Sequence, residues 1–320
     1  MTSLKLLSLF LLLISFLDAK TVSRTQVIMS TFVTITTDER DADSITDGFE
    51  IIKEVEMSLS SYNPDAKIYQ LNKNRHVKLD SLSHEALLLS KKYYLQTDGY
   101  FDITIGSITK DLYRFGENER IASLDELAGA NVDFSALRFN EKEAFLEEGA
   151  KVDLGGMGKG FGVDKAAEYF RNKNVKSAVI AASGDIRCFS SCRIEVQDPL
   201  KEDDVLLSFE TMEDDMGITT SGNYNRYVVS TKNNHLIDPK AKKPQNLFVS
   251  ITLVSHLLSG DLDAYATAAS VMPLKKAYRF LDSLEVGYIV LQSDEKLVVS
   301  KNISEFTKNL LIRDALKKQP

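Results

Sequence analysis

Cysteine is nearly absent: Cys188 and Cys192 are the only two, and they enclose Phe189-Ser190-Ser191. Two thiols fall short of a structural zinc site, which takes four ligands. In an oxidising compartment they fit a disulfide across a tight hairpin, with a structural role. Positive charge is also in short supply. Lys and Arg total 39 against 46 Asp and Glu, a net charge of −7. No basic cluster offsets that balance, so no nucleic-acid partner is expected. Internal repeats, low-complexity tracts and obvious linkers are missing too. One domain over 20–320 is therefore the economical organisation.

An apolar stretch does stand at the N-terminus. Leu6 to Leu17, broken only by Ser8 and Ser15, follows Lys5 and leads to the small residue Ala19. This pattern reads as a cleavable export signal over 1–19. A membrane span needs about 20 apolar residues, so the segment is short for an anchor. An uncleaved inner-membrane anchor is the alternative. No cysteine lies near the cleavage point, so lipid attachment there is not expected. The expected mature chain is soluble and exported.

The most informative stretch is Val152-Asp153-Leu154-Gly155-Gly156-Met157-Gly158-Lys159-Gly160-Phe161-Gly162-Val163-Asp164, with five glycines in eight positions. Glycine permits sharp turns and close approach of a ligand to the main chain. Val163, Ala166, Ala167 and Phe170 follow at helical spacing, so the run leads into a helix N-terminus, where N–H groups and the dipole favour phosphate. Lys159 adds a mobile positive charge. The plainer reading is a glycine-rich turn into an amphipathic helix. The P-loop pattern fails because Gly160 follows Lys159. The Rossmann fingerprint fails because the spacing is G-x-G-x-G, with no acid about 20 residues on.

Elsewhere the periodicity predicts a strand over Val27–Thr37 and helices over Asp41–Leu59 and Ser83–Thr97, with a turn at Ser60–Asp65. Tyr62 beside that turn is either a stacking platform or an ordinary half-buried tyrosine. After the Asp98-Gly99 turn, Phe101, Ile103 and Ile105 alternate with Asp102 and Thr104. This reads as a strand whose polar face either holds a ligand or is solvated. Ile218–Tyr227 reads as a polar turn. His235 is a candidate base or ligand with a structural alternative. Gly260–Met272 reads as a helix that puts Asp263 and Thr267 on one face, four residues apart. Such hard oxygens suit Mg²⁺, although Asp261 and Asp263 also complement the helix dipole.

The motifs occur in a series. Ser-x-Tyr62 with Leu71-Asn72, Gly99-Tyr100-Phe101-Asp102-Ile103-Thr104-Ile105-Gly106, Asp153-Leu154-Gly155-Gly156 with Lys159-Gly160, and Ser183-Gly184-Asp185-Ile186 come first. Thr220-Ser221-Gly222-x-Tyr224-x-Arg226-Tyr227, His235-Leu236-Ile237-Asp238-Pro239 and Asp263-Ala264-x-Ala266-Thr267-Ala268 follow. From about Val27 to Met272 the chain resembles the ApbE family, the exported FAD:protein FMN transferases. The resemblance implies a single compact α+β domain, T-fold-like, with mixed sheets flanked by helices around a central FAD cleft. It implies that Met29, Tyr62, Tyr100, Phe101, Asp102, Asp153, Lys159 and Ile237 line the FAD site. It also implies that Gly156, Asp263, Thr267 and the Ala266 carbonyl hold Mg²⁺, and that His235 moves the proton. The implied reaction joins FMN from FAD to a Thr or Ser hydroxyl of an exported, membrane-associated redox protein and releases AMP, in the periplasm. FAD hydrolysis to FMN and AMP, or flavin binding without turnover, are the alternatives. Ser30, Gly158, Asn225 and Lys240-Ala241-Lys242 depart from the family's usual residues.

Overall fold

The computed structural model describes residues 20–201 and 204–313. The export signal read over 1–19 lies outside the described residues.

The chain opens with a hairpin, β1 (Thr21–Ile28) and β2 (Thr31–Asp38), in uninterrupted antiparallel register. This corrects the single strand read over Val27–Thr37. Met29 and Ser30 take left-handed conformations, φ 55° and 59°, and the chain reverses there. The turn shifts the parity of the alternation. Val27 pairs with Phe32 on the open face, each 70% exposed, while Ile28, Val33 and Ile35 are buried.

Next come α1 (Asp43–Leu59), α2 (Lys67–Asn74), β3 (His76–Lys78) and α3 (Ser81–Gln96). Helix α1 buries Ile45, Phe49, Ile52 and Val55, the stripe a 3.6-residue period produces. Helix α3 starts at a capping box, Asp80 with Ser83, which satisfies otherwise orphan N–H groups.

The stretch after Gly99 is not a strand. Asp102 Oδ1 accepts from Thr104 N at 2.8 Å and from Thr104 Oγ1 at 2.6 Å. These local bonds compete with a ladder, and the chain winds into α4 (Gly106–Thr109). Then follow α5 (Leu124–Gly129), β4 (Leu137–Phe139), β5 (Glu143–Leu146) and α6 (Gly158–Asn172).

A run of strands comes next: β6 (Ala178–Ala182), β7 (Asp185–Cys188), β8 (Arg193–Gln197), β9 (Val205–Thr211) and β10 (Met216–Gly222). The polar turn read over Ile218–Tyr227 is therefore strand as far as Gly222. The short pair β11 (Ile237–Asp238) and β12 (Lys243–Pro244) precedes β13 (Phe248–Ser255). The chain closes with α7 (Ser259–Val271), α8 (Leu274–Leu281), β14 (Gly287–Gln292), β15 (Leu297–Val299), α9 (Ile303–Phe306) and β16 (Thr307–Ile312).

The centre is an eight-stranded antiparallel sheet in the order β1-β2-β6-β7-β10-β13-β14-β15. Its two faces are read from alternate residues. Leu253, Tyr288 and Val290 point into the core that holds α7, while Val254, Ile289 and Leu291 point the other way. The second face is covered by the three-stranded sheet β16-β9-β8 through Ile194, Val196, Leu207 and Phe209. Helices α1 and α6 cover β2 and β6, with Phe49, Val163 and Phe170 against Val33, Ile35 and Ile180. Cys188 and Cys192 are joined as a disulfide where the chain passes from β7 to β8. This α+β architecture leaves the N-terminal ends of α6 and α7 together at one end of the sheet.

Candidate active site

The glycine run is held from behind by Asn72. Its side chain donates to Val152 O at 2.8 Å and accepts from Val152 N at 2.7 Å. Asp153 N donates to Ile103 O at 2.8 Å, which ties the run to the Asp102 turn. Helix α6 then begins at Gly158 and crosses the start of α7. A Cβ added at Gly160 would lie 2.3 Å from Ser259 O, so only glycine permits this approach. A Cβ at Gly156 would lie 2.9 Å from Thr267 Cγ2, so the turn before α6 abuts α7 one turn beyond Asp263.

At the crossing the helices exchange carboxylates. Asp164 on α6 accepts from Ser259 N at 2.8 Å and Gly260 N at 2.7 Å, capping α7. Asp263 on α7 accepts from Gly160 N at 3.3 Å, in the first turn of α6. Part of the N-terminal charge expected to meet a phosphate therefore meets a protein carboxylate.

Lys159 is not a loose charge either. Its Nζ lies 2.8 Å from Asp185 Oδ2 and 3.2 Å from Asp263 Oδ2. Burial alone would lower its pKa, but Asp185 and Asp263 together raise it, so it is an ammonium. Burial and the nearby Asp185 push the Asp263 carboxyl up to about 7, against the pull of Lys159. Two buried carboxylates share one ammonium, and the site favours further positive charge.

Opposite stands His235. Its Nδ1 is 3.1 Å from Arg226 O. A carbonyl only accepts, so Nδ1 carries the hydrogen and Nε2 keeps its lone pair. Burial, with Arg226 and Lys159 nearby, lowers its pKa to about 4. The ring is neutral at neutral pH, with Nε2 free to take a proton.

Asp153 accepts from Thr109 Oγ1 at 2.7 Å and Gly155 N at 3.0 Å, with Lys110 Nζ at 3.7 Å. Burial raises its pKa, but Lys110 and Arg226 outweigh burial and hold it low. Tyr62 donates to Phe115 O at 2.8 Å and carries Lys110 Nζ 3.1 Å from its ring centroid. One face of the ring is thus taken, which limits stacking to the other. The ammoniums of Lys240 and Lys276 both reach Asp98 Oδ2, at 3.1 and 2.5 Å, and lie on the same side of Tyr100, 4.6 and 4.8 Å from its ring centroid.

These groups surround a cleft of about 830 Å³, a size typical of small-molecule sites. Met29, Tyr62, Tyr100, Phe101, Asp102, Asp153, Gly156, Lys159, His235, Ile237, Asp263 and Thr267 all line it. Ala266 is the exception. Its methyl is buried away from the cleft, and its carbonyl already accepts from Ser270 Oγ at 2.8 Å. Asp261 also turns away, pairing with Lys92 at 2.9 Å.

Sequence reasoning assigned no role to Asp185, Arg226, Lys110 or Glu56, although Glu56 holds Met29 N at 3.0 Å. Asp185 had a signal, Ser183-Gly184-Asp185 after an apolar strand. Arg226 had one too, inside the Thr220–Tyr227 motif, while Lys110 and Glu56 are charged residues whose positions only the folded chain explains.

Among the described residues no three His, Cys, Asp or Glu side chains cluster as a metal cage. A magnesium site would instead mix carboxylate, hydroxyl and carbonyl oxygens. Asp263, Thr267 and Gly156 offer that set on one wall, and the excess negative charge there fits a cation.

Fold and cleft together define the class: an α+β protein with a small-molecule-sized cleft between a glycine-led helix and the loops opposite. The chain belongs to the ApbE family, whose sequence profile matches residues 29–290. It is 26% identical over 282 residues to the FAD:protein FMN transferase of Haemophilus influenzae, covering 81% of each chain. It is 25% identical over 261 residues to that of Vibrio cholerae, covering 75% of this chain and 77% of that one. The crystal structure of the ApbE protein of Thermotoga maritima superposes with a TM-score of 0.82 at 21% identity, over 91% of this chain and 100% of that one. The flavin transferase ApbE of Vibrio cholerae gives 0.77 at 20% identity, over 90% and 99%.

Proposed function

We propose that the chain is an FAD:protein FMN transferase that joins the FMN half of FAD to a Thr or Ser hydroxyl of an acceptor protein and releases AMP. The observation that carries this reading is the convergence of Lys159, Asp263, Gly156 and Thr267 with the neutral ring of His235 on one cleft. A diphosphate resists attack until its charge is offset. Lys159 supplies a fixed ammonium for that purpose. Magnesium, held by the Asp263 carboxylate, the Thr267 hydroxyl and the Gly156 carbonyl, would withdraw further charge from the phosphate oxygens. The acceptor oxygen bonds to the FMN phosphorus as its proton passes to His235 Nε2. The bond from that phosphorus to the bridging oxygen breaks, and AMP departs with that oxygen. Bound phosphates raise the basicity of His235 from its ligand-free level, since nearby negative charge favours imidazolium.

Export to the periplasm belongs to the same proposal. The apolar stretch at 6–17 and the Cys188–Cys192 disulfide support it, because such bonds persist in oxidising compartments. The acceptor class it implies is an exported or membrane-associated redox subunit with a threonine-containing flavinylation motif.

The test incubates protein with FAD and candidate acceptors, with Mg²⁺ or EDTA, scored by in-gel flavin fluorescence and mass spectrometry. The expected result is a covalent FMN adduct and one AMP per adduct, only with Mg²⁺. Free FMN and AMP with no adduct would make the protein an FAD pyrophosphatase. FAD uptake without AMP would reduce it to a flavin-binding protein.

A further inference from the structure

Asp185 lies beneath the cleft surface rather than on it. It is 2% exposed, at the first position of β7. Its Oδ1 accepts from Thr219 Oγ1 on β10, and its Oδ2 is the nearer partner of Lys159, at 2.8 Å against 3.2 Å for Asp263. The carboxylate is held in place by its hairpin. Ser183 has φ 57°, and a Cβ on Gly184 would meet Thr220 O at 2.9 Å. Among the described residues, both hydrogen bonds to the Asp263 carboxylate reach Oδ2, from Lys159 and Gly160.

We propose that Asp185 is a positioning residue acting through Lys159: it receives the ammonium when a divalent cation takes the Asp263 carboxylate, and keeps that charge beside the cation site. This rests on reading Asp263 as a metal ligand. A cation arriving at Asp263 repels the Lys159 ammonium. With Asp263 as its sole partner, the lysine would have to give up its buried ion pair, and losing one partner of such a pair is costly. Asp185 offers a second, already formed contact, so the exchange needs only a small swing of a flexible four-carbon stem. The same contact leaves Lys159 near the diphosphate after the metal is in place. Asp185 and Thr219 thus set both the ease of metal entry and the aim of the lysine.

The test reads metal binding without turnover. Mn²⁺ uptake by the FAD-free protein is measured by calorimetry, and by the electron paramagnetic resonance of free Mn²⁺. The proteins are wild type, Asp185→Asn, Lys159→Met and the double variant. Asp185→Asn should weaken Mn²⁺ about tenfold, the scale seen when a partner supporting a metal ligand is lost. Lys159→Met should tighten it, because the competing ammonium is gone. In the Lys159→Met background, Asp185→Asn should have little further effect, a coupling that the double-mutant cycle measures. Thr219→Val preserves both charges and frees Asp185 Oδ1. It should give a smaller loss in the same direction, and it serves if Asp185→Asn does not fold. Equal weakening by Asp185→Asn in both backgrounds would overturn the proposal and make Asp185 a ligand or a bystander charge. If the wild type takes up no Mn²⁺ with or without FAD, the metal reading of the cleft fails and this proposal with it. Transfer to an acceptor, scored separately, would still report on the activity.

Discussion

The crossing of α6 and α7 has two ends that look alike in composition and behave differently. At one end Asp164 caps α7 through two N–H groups and faces Arg187, 3.7 Å away and 1% exposed. At the other, Asp263 takes one N–H of α6 and shares Lys159 with Asp185 beside an open cleft. Each end puts a buried carboxylate at a helix N-terminus with a cation nearby. Only the second keeps space next to its carboxylate, and its single ammonium serves two buried acids, whereas the second acid beside Arg187, Asp215 at 3.7 Å, is exposed to solvent. The first is closed and structural, while the second is held ready for a ligand. Helix dipole and ion pairing do not by themselves make a site. Unbalanced charge next to room for a ligand does.

The largest effect should come from the open end. Asp263→Ala should lower Mg²⁺-dependent FMN transfer by about 10³-fold, the upper range for losing one electrostatic element, with the thermal melt nearly unchanged. Transfer assays with circular dichroism check this, and full activity would remove the asymmetry between the ends. Asp164→Ala should do the opposite. It uncaps α7 and strips a partner from buried Arg187, costing about 3 kcal/mol in urea unfolding, while folded protein still binds FAD. The closed end extends through Arg187 into Cys188. Replacing both cysteines by serine should cost about 2 kcal/mol by loop-closure entropy and leave transfer unchanged under reducing or oxidising conditions.

The remaining effect concerns pH and the open end. His235 titrates near 4 when folded against 6.5 when free. Between those values the unfolded chain binds the extra proton at this site, so the His235 contribution to stability rises with pH through that window and levels off above it, whereas Asp263, pushed up to about 7, contributes with the opposite sign. His235→Gln should remove the rising contribution and turn that part of a urea-unfolding pH series downward relative to wild type. An unchanged slope would mean that the ring is charged in the folded state.

Much of this was readable in the residues. Helical spacing put Asp263 and Thr267 on one face of α7, and the glycine run did lead into α6. The hairpin at Met29-Ser30 was hidden because neither residue is the Gly, Asn or Asp that favours positive φ in a two-residue turn, and their left-handed backbone follows from the strands they join. The Asp102 segment read as a strand because alternation was present, yet its own side-chain bonds won. Strand β13, at the heart of the large sheet, carries hydroxyls and apolar residues on both faces and offered no clean period. Its burial on both sides removes the contrast that alternation needs.

Sequence alone determined the buried faces of the long helices and the order of the motifs, because side-chain direction repeats every 3.6 residues in a helix. It could not say which face meets which. Whether a given aspartate caps a neighbouring helix, steadies a lysine or borders a cavity depends on contacts between residues far apart in the chain, such as Lys159 with Asp263, 104 positions away. Those contacts exist only once Gly160 lets α6 and α7 touch. Tertiary packing therefore decided that Asp164 is structural, that Asp185 stands behind Lys159, and that Asp263 faces the cleft.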